Sequence, residues 1–168
     1  MSPARGGWVI LLSVVLAMLL SVVQLPQGTP DWLAWLRPNW LLLVVFYWVM
    51  ALPHRLGLIT AWLIGLFADV LHGEALGVNA FGLAGITYVT WSLYERLRMY
   101  TRAQQALLVL VLATLLELVL LAAQLVTLGL SFEWMGLVQT LVTAVMTALF
   151  WPPVFLVLRW LRRHLKVV

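Results

Sequence analysis

RPNWLLLVVFYWVMALPHRLGLITAWLIGLFADVLHGEALG, residues 37–77, decides the fold. Two apolar runs, Trp40–Leu52 and Leu56–Leu71, are separated only by Pro53, His54 and Arg55. A proline beside two polar residues ends one helix and begins another, so the stretch reads as a helical hairpin within a membrane whose turn lies in an aqueous layer. The second run carries Gly57, Ala61, Gly65, Asp69 and Gly73 at four-residue spacing, on one helical face. Small residues let another helix come backbone to backbone where lipid supplies no hydrophobic drive.

Composition carries the same message over the whole chain. Of 168 residues, 64% are hydrophobic and 10% charged, with mean hydropathy +1.05; a soluble domain carries about 25% charged residues. Apolar segments at 8–25, 40–52, 56–71, 78–94, 104–128 and 135–158 predict six spans in one all-α bundle, residues 1–168, without a second domain or repeat. A span takes roughly 20 residues, so the second and third are short; they sit inside the bundle or cross a thinned region, with a re-entrant hairpin as the alternative. The first segment has no small-x-small cleavage pattern and reads as a retained anchor. The connection 26–38, with DWLAWL after Pro30, reads as a short interfacial helix capped by Asp31.

Positive charge orients the bundle. With the N-terminus cytoplasmic, Arg5, Arg55, Arg96, Arg98, Arg102, Arg159, Arg162, Arg163 and Lys166 fall inside and only Arg37 outside, the positive-inside pattern. Both termini are then cytoplasmic. The net charge of +4 reports topology and attraction to anionic lipid, and nucleic-acid binding is not implied. Trp32, Trp35, Trp40 and Trp134 fall at the outer boundary and Trp8, Trp91 and Trp160 at the inner, leaving Trp48, Trp62 and Trp151 deeper as packing residues.

Several positions invite a functional role. Asp69, an ionisable residue in an apolar helix, is a functional candidate by default, yet it stands near the outer end of its helix, where it reaches water, loop amides or Arg37; a structural or partner-binding role competes with an ion path. Glu117 lies near the middle of its span with Gln124 nearby, and Gln139, Thr143 and Thr147 form a polar ladder on the last helix that can face it. A buried hydrogen-bond network or a partner contact accounts for them. Ser13, Ala17 and Ser21 make a second small-residue ladder for docking, internal or to another protein. Trp151-Pro152-Pro153 predicts a kink, and the basic aromatic tail beyond it suits lipid anchoring or a cytoplasmic protein.

Chemistry finds little to work with. His54, His72 and His164 are scattered over both sides, cysteine is absent, and no nucleophile, zinc-helix or phosphate-loop motif is present. The expectation is a protein with no catalytic residues, no metal and no cofactor.

RPNW (37–40) leading into LLLVVFYWVMALPHR (41–55), the helix with Asp69, HGEALGVNAF (72–81), RAQQALLVL (102–110) and FWPPVFLVLRWLRR (150–163) together resemble the rod-shape-determining MreD family of Gram-negative bacteria. The resemblance implies a non-enzymatic inner-membrane scaffold that binds the bitopic protein MreC, lies alongside the MreB filament, and helps localise the cell-wall elongation machinery with RodA and a class B penicillin-binding transpeptidase. That family also looks like the substrate-binding components of energy-coupling-factor vitamin transporters, which makes a small-molecule binding protein the alternative. A vitamin pocket needs convergent polar groups. The outer loops offer few beyond Arg37, Asn39, Asp69 and Asn79, so tight binding of a vitamin-like ligand is not expected.

Overall fold

The computed structural model describes residues 7–23, 30–129, 131 and 133–165. Arg5, Lys166 and the first part of the 26–38 connection lie outside them. All regular structure there is helical: α1 (Gly7–Val22), α2 (Asp31–Trp35), α3 (Trp40–Ala51), α4 (Leu58–His72), α5 (Val78–Ser92), α6 (Tyr94–Leu97), α7 (Arg102–Leu128) and α8 (Trp134–His164).

Helix α3 is the centre. Every residue from Leu41 to Met50 is buried, which is why its sequence is apolar all round rather than on one stripe. Trp48 donates its indole N–H to Ser13 Oγ on α1 at 2.8 Å, while Phe46 meets Trp151 and Tyr47 meets Phe155 of α8 edge to face, with centroids 4.8 and 5.7 Å apart. Lipid is as apolar as leucine, so these contacts stabilise through close packing and satisfied polar groups rather than through exclusion of water.

The hairpin expected at 37–77 is not a packed pair. Helix α4 lies along α5, whereas α3 packs on α1, α5 and α8. The small-residue face explains the choice: Ala61, Gly65, Ala68 and Asp69 are buried, and a Cβ on Gly65 would stand 2.6 Å from the carbonyl oxygen of Asn79 at the start of α5. The opposite face of α4 is open, with Ile59 77% and Phe67 65% exposed. Of the two short segments expected inside the bundle, therefore, α3 is central and α4 is peripheral.

Among the described residues three apolar stretches reach the length that crosses a bilayer, Trp32–Ala51, which joins α2 and α3, Arg102–Leu128 and Trp134–His164. Gly7–Val22 and Leu58–His72 are apolar but shorter; sixteen residues rise about 24 Å, against a hydrocarbon core of about 30 Å. Helix α7 starts at a capping box, Thr101 and Gln104 each accepting the other's backbone N–H, and is followed by Gly129 at φ 62°. Helix α2 begins at Asp31 itself, and its N-cap is Pro30, which supplies no side-chain bond. Helix α8 continues unbroken through Pro152 and Pro153. Trp48 and Trp151 are fully buried and Trp62 half-buried.

Candidate functional site

Asn39 precedes α3 and ties three elements together. Its Oδ1 accepts the Leu42 N–H at 3.1 Å, capping α3; its Nδ2 donates to Glu117 Oε1 on α7 at 3.1 Å; its backbone N–H donates to Thr147 Oγ1 on α8 at 2.9 Å. Thr147 in turn donates to the Thr143 carbonyl at 2.7 Å, and Thr143 Oγ1 donates to the Trp35 carbonyl of α2 at 3.2 Å. The chain Glu117–Asn39–Thr147–Thr143–Trp35 thus joins four helices through polar groups that lipid would leave unsatisfied.

Above this network the helices part to leave a cleft of about 310 Å³. Its walls include Arg37, Asn39, Glu74, Asn79, Glu117, Gln124, Gln139, Thr140 and Thr143. The expectation, drawn from the outer loops, that few polar groups gather at this end is corrected here: α7 and α8 supply most of the cluster, α5 supplies Asn79, and the loops supply the rest. Arg37 does not reach Asp69. Its Nη2 donates to the Leu20 and Ser21 carbonyls at 2.9 and 3.5 Å, closing the C-terminal end of α1. Gln124 and Gln139 are exposed and point no hydrogen bond at another described residue, so their amides are available to whatever enters.

Asp69, fully buried, sits beneath the cleft and organises one of its walls. Its Oδ2 accepts the Gly77 N–H at 2.8 Å and its Oδ1 the Asn79 N–H at 2.9 Å, with Ala80 N–H at 3.4 Å. These are amides at the start of α5, where a helix leaves its first N–H groups without partners and where a carboxylate also meets the positive end of the helix dipole. Gly77, at φ 102°, adopts a conformation that a Cβ would strain. The turn so fixed presents Asn79, whose Nδ2 donates to Glu74 Oε2 at 2.6 Å, to the cleft.

The remaining candidates lie elsewhere. Ser13 and Ala17 are buried on the α1 face that meets α3, while Ser21 is half-buried beside the cleft and donates to the Met18 carbonyl. Gly57 caps the start of α4 with open space around it. A second polar link, Trp151 Nε1 to Gln105 Oε1 at 3.3 Å and Gln105 Nε2 to the Leu97 carbonyl at 3.0 Å, holds the opposite end of the bundle. Gln105 escaped notice in the sequence, although an amide one turn into an apolar helix was the available signal. Among the described residues no three His, Cys, Asp or Glu side chains come together as a metal would require.

The model of a family described as rod shape-determining protein MreD matches residues 4–161. The chain is 32% identical over 161 residues, 95% of its length and 94% of the relative's, to the rod shape-determining protein MreD of Haemophilus influenzae. No solved structure matches the chain.

Proposed function

The chain belongs to the MreD family of rod shape-determining membrane proteins, and on that premise we propose that it is a non-enzymatic scaffold whose polar cleft receives an extracytoplasmic segment of MreC. In this reading it crosses the bacterial inner membrane six times with both termini cytoplasmic, and MreB, RodA and a class B penicillin-binding transpeptidase gather at the same assembly. The cleft carries the proposal. It opens at the Arg37 end, the side the arginine distribution assigns to the exterior.

Its chemistry favours a peptide over a vitamin. Small-molecule sites are mostly apolar with a few polar groups, as a carrier related to energy-coupling-factor components would need. Here amides, hydroxyls and carboxylates dominate, and 310 Å³ is at the low end of the roughly 300–1,000 Å³ range of ligand sites. Such a surface matches backbone and polar side chains. The faces Ser13/Ala17 and Ala61/Gly65 are packing faces, each already covered by a helix of the same chain.

Gln124→Leu with Gln139→Leu tests the proposal, because both amides are free and the Asn39 network is untouched. Copurification of MreC in mild detergent is expected to fall at least tenfold at unchanged protein level. Wild-type recovery of MreC by the double variant would discard the cleft as its receptor, and a stoichiometric small molecule or a transporter ATPase in its place would favour the carrier. For topology, cysteines replacing Ser2 and Val168 are expected to label only after the inner face is opened, and one replacing Glu133 in intact cells. Labelling of Ser2→Cys or Val168→Cys from outside would overturn the orientation.

A further inference from the structure

At the end opposite the cleft, Arg102 on the first turn of α7 and Arg159 on α8 converge on one aromatic ring. Their guanidinium carbons stand 5.4 and 5.9 Å from the Phe155 centroid. Among the described residues neither is paired with a carboxylate; Glu95 is the acidic residue at this end, against Arg96, Arg98, Arg102, Arg159 and Arg163. The ring face attracts each guanidinium, but the two like charges it gathers repel one another, and an anion beside them offsets that repulsion. Arg159 and Arg163 both border an open depression on the surface of α8 that also includes Leu156, Val157 and Trp160, all three exposed.

We propose that Arg102, Arg159 and Arg163 bind the phosphate of an anionic phospholipid, whose acyl chain lies along Leu156 and Val157. Guanidinium groups bind phosphate through paired N–H donors. The capping box takes the Thr101 and Gln104 N–H groups, and those of Arg102 and Ala103, which lack intrahelical acceptors by helix geometry, face the same end. The apolar wall distinguishes a lipid from an acidic peptide. A carboxylate partner has no use for exposed leucine and valine one turn deeper, whereas a phospholipid brings its charge and its hydrocarbon at that separation, with the Trp160 ring at headgroup level. Arg162 is not part of the site, since it donates to the Ala51 carbonyl at 3.4 Å and closes α3.

Native mass spectrometry of the full chain, titrated with phosphatidylglycerol, phosphatidylcholine, inorganic phosphate or a polyglutamate peptide, tests the site. A cationic residue near the surface changes anionic-lipid affinity by roughly fivefold. Arg102→Gln and Arg159→Gln should each weaken phosphatidylglycerol binding about fivefold and together about 25-fold, while Arg98→Gln, whose guanidinium lies over Tyr94, should leave it unchanged. Phosphatidylcholine should bind weakly to every form. Undiminished phosphatidylglycerol binding by the double variant overturns the proposal. So does equal binding of phosphatidylcholine, displacement by equimolar inorganic phosphate, or a polyglutamate complex tighter than the lipid's.

Discussion

Asp69→Leu is expected to abolish accumulation of folded protein and, with it, rescue of rod shape in cells lacking the endogenous protein. The carboxylate accepts Gly77 and Asn79 N–H groups at 2.8 and 2.9 Å on separate oxygens, and leucine leaves the buried Asn79 amide and the part-buried Gly77 amide without acceptors. Each orphaned donor costs about 1–3 kcal/mol, so the loss is about 2–6 kcal/mol. Folded proteins hold roughly 5–15 kcal/mol in all. Asp69→Asn does not escape, although the residue alone suggests it should, since an amide keeps an acceptor oxygen. Because each oxygen has its own N–H, the amide nitrogen must face one of the two donors. An intermediate loss of about 1–3 kcal/mol follows. Thermal stability in detergent and cell shape give the measurement, in the order wild type, Asn, Leu. Leu at wild-type stability would remove the carboxylate from any role in holding α5.

How far this could be read from the chain depends on the distance over which each feature is built. The helical, membrane-bound character is local: it follows from run lengths and from the scarcity of charge, and α3 declares its central place through an unbroken apolar sequence. Helix pairing is not local. Pro53-His54-Arg55 makes α3 and α4 neighbours in sequence, but the close approach belongs to Gly65 and the start of α5, whose backbone no pattern of side chains specifies. The cleft is less legible still. Asn39 meets Thr147 across 108 positions and Glu117 across 78, and each segment contributes only a few polar groups to an otherwise apolar helix. Counted loop by loop they look too few; brought to one end of the bundle they line a cavity. Arg37 shows the same limit, because Asp69 was the partner within its reach in sequence terms and the structure gives it to the carbonyls of α1.

Gly65→Ala, and more so Gly65→Leu, should separate α4 from α5 with a loss of about 3 kcal/mol or more, at the upper end of overpacking costs. An ideal Cβ at Gly65 lies 2.6 Å from both the Asn79 carbonyl oxygen and the Ala80 nitrogen, with Ala80 Cα also in contact. These are backbone atoms with no rotamer to yield. The sign is diagnostic, since glycine to alanine within a helix otherwise gains about 1 kcal/mol. Gly85→Ala, on α5 with nothing within 4 Å of its Cβ position, should be neutral or slightly stabilising and serves as the control. The same residues, Asn79 and Ala80, donate to Asp69, so helix approach and carboxylate capture depend on one another. Combining Gly65→Ala with Asp69→Asn should then cost less than the sum of the two, by about 0.5–3 kcal/mol of coupling. Simple additivity would mean that the carboxylate holds the turn independently of how closely α4 approaches it, and a Gly65→Leu protein with wild-type melting would show that α4 does not dock on α5 through this face.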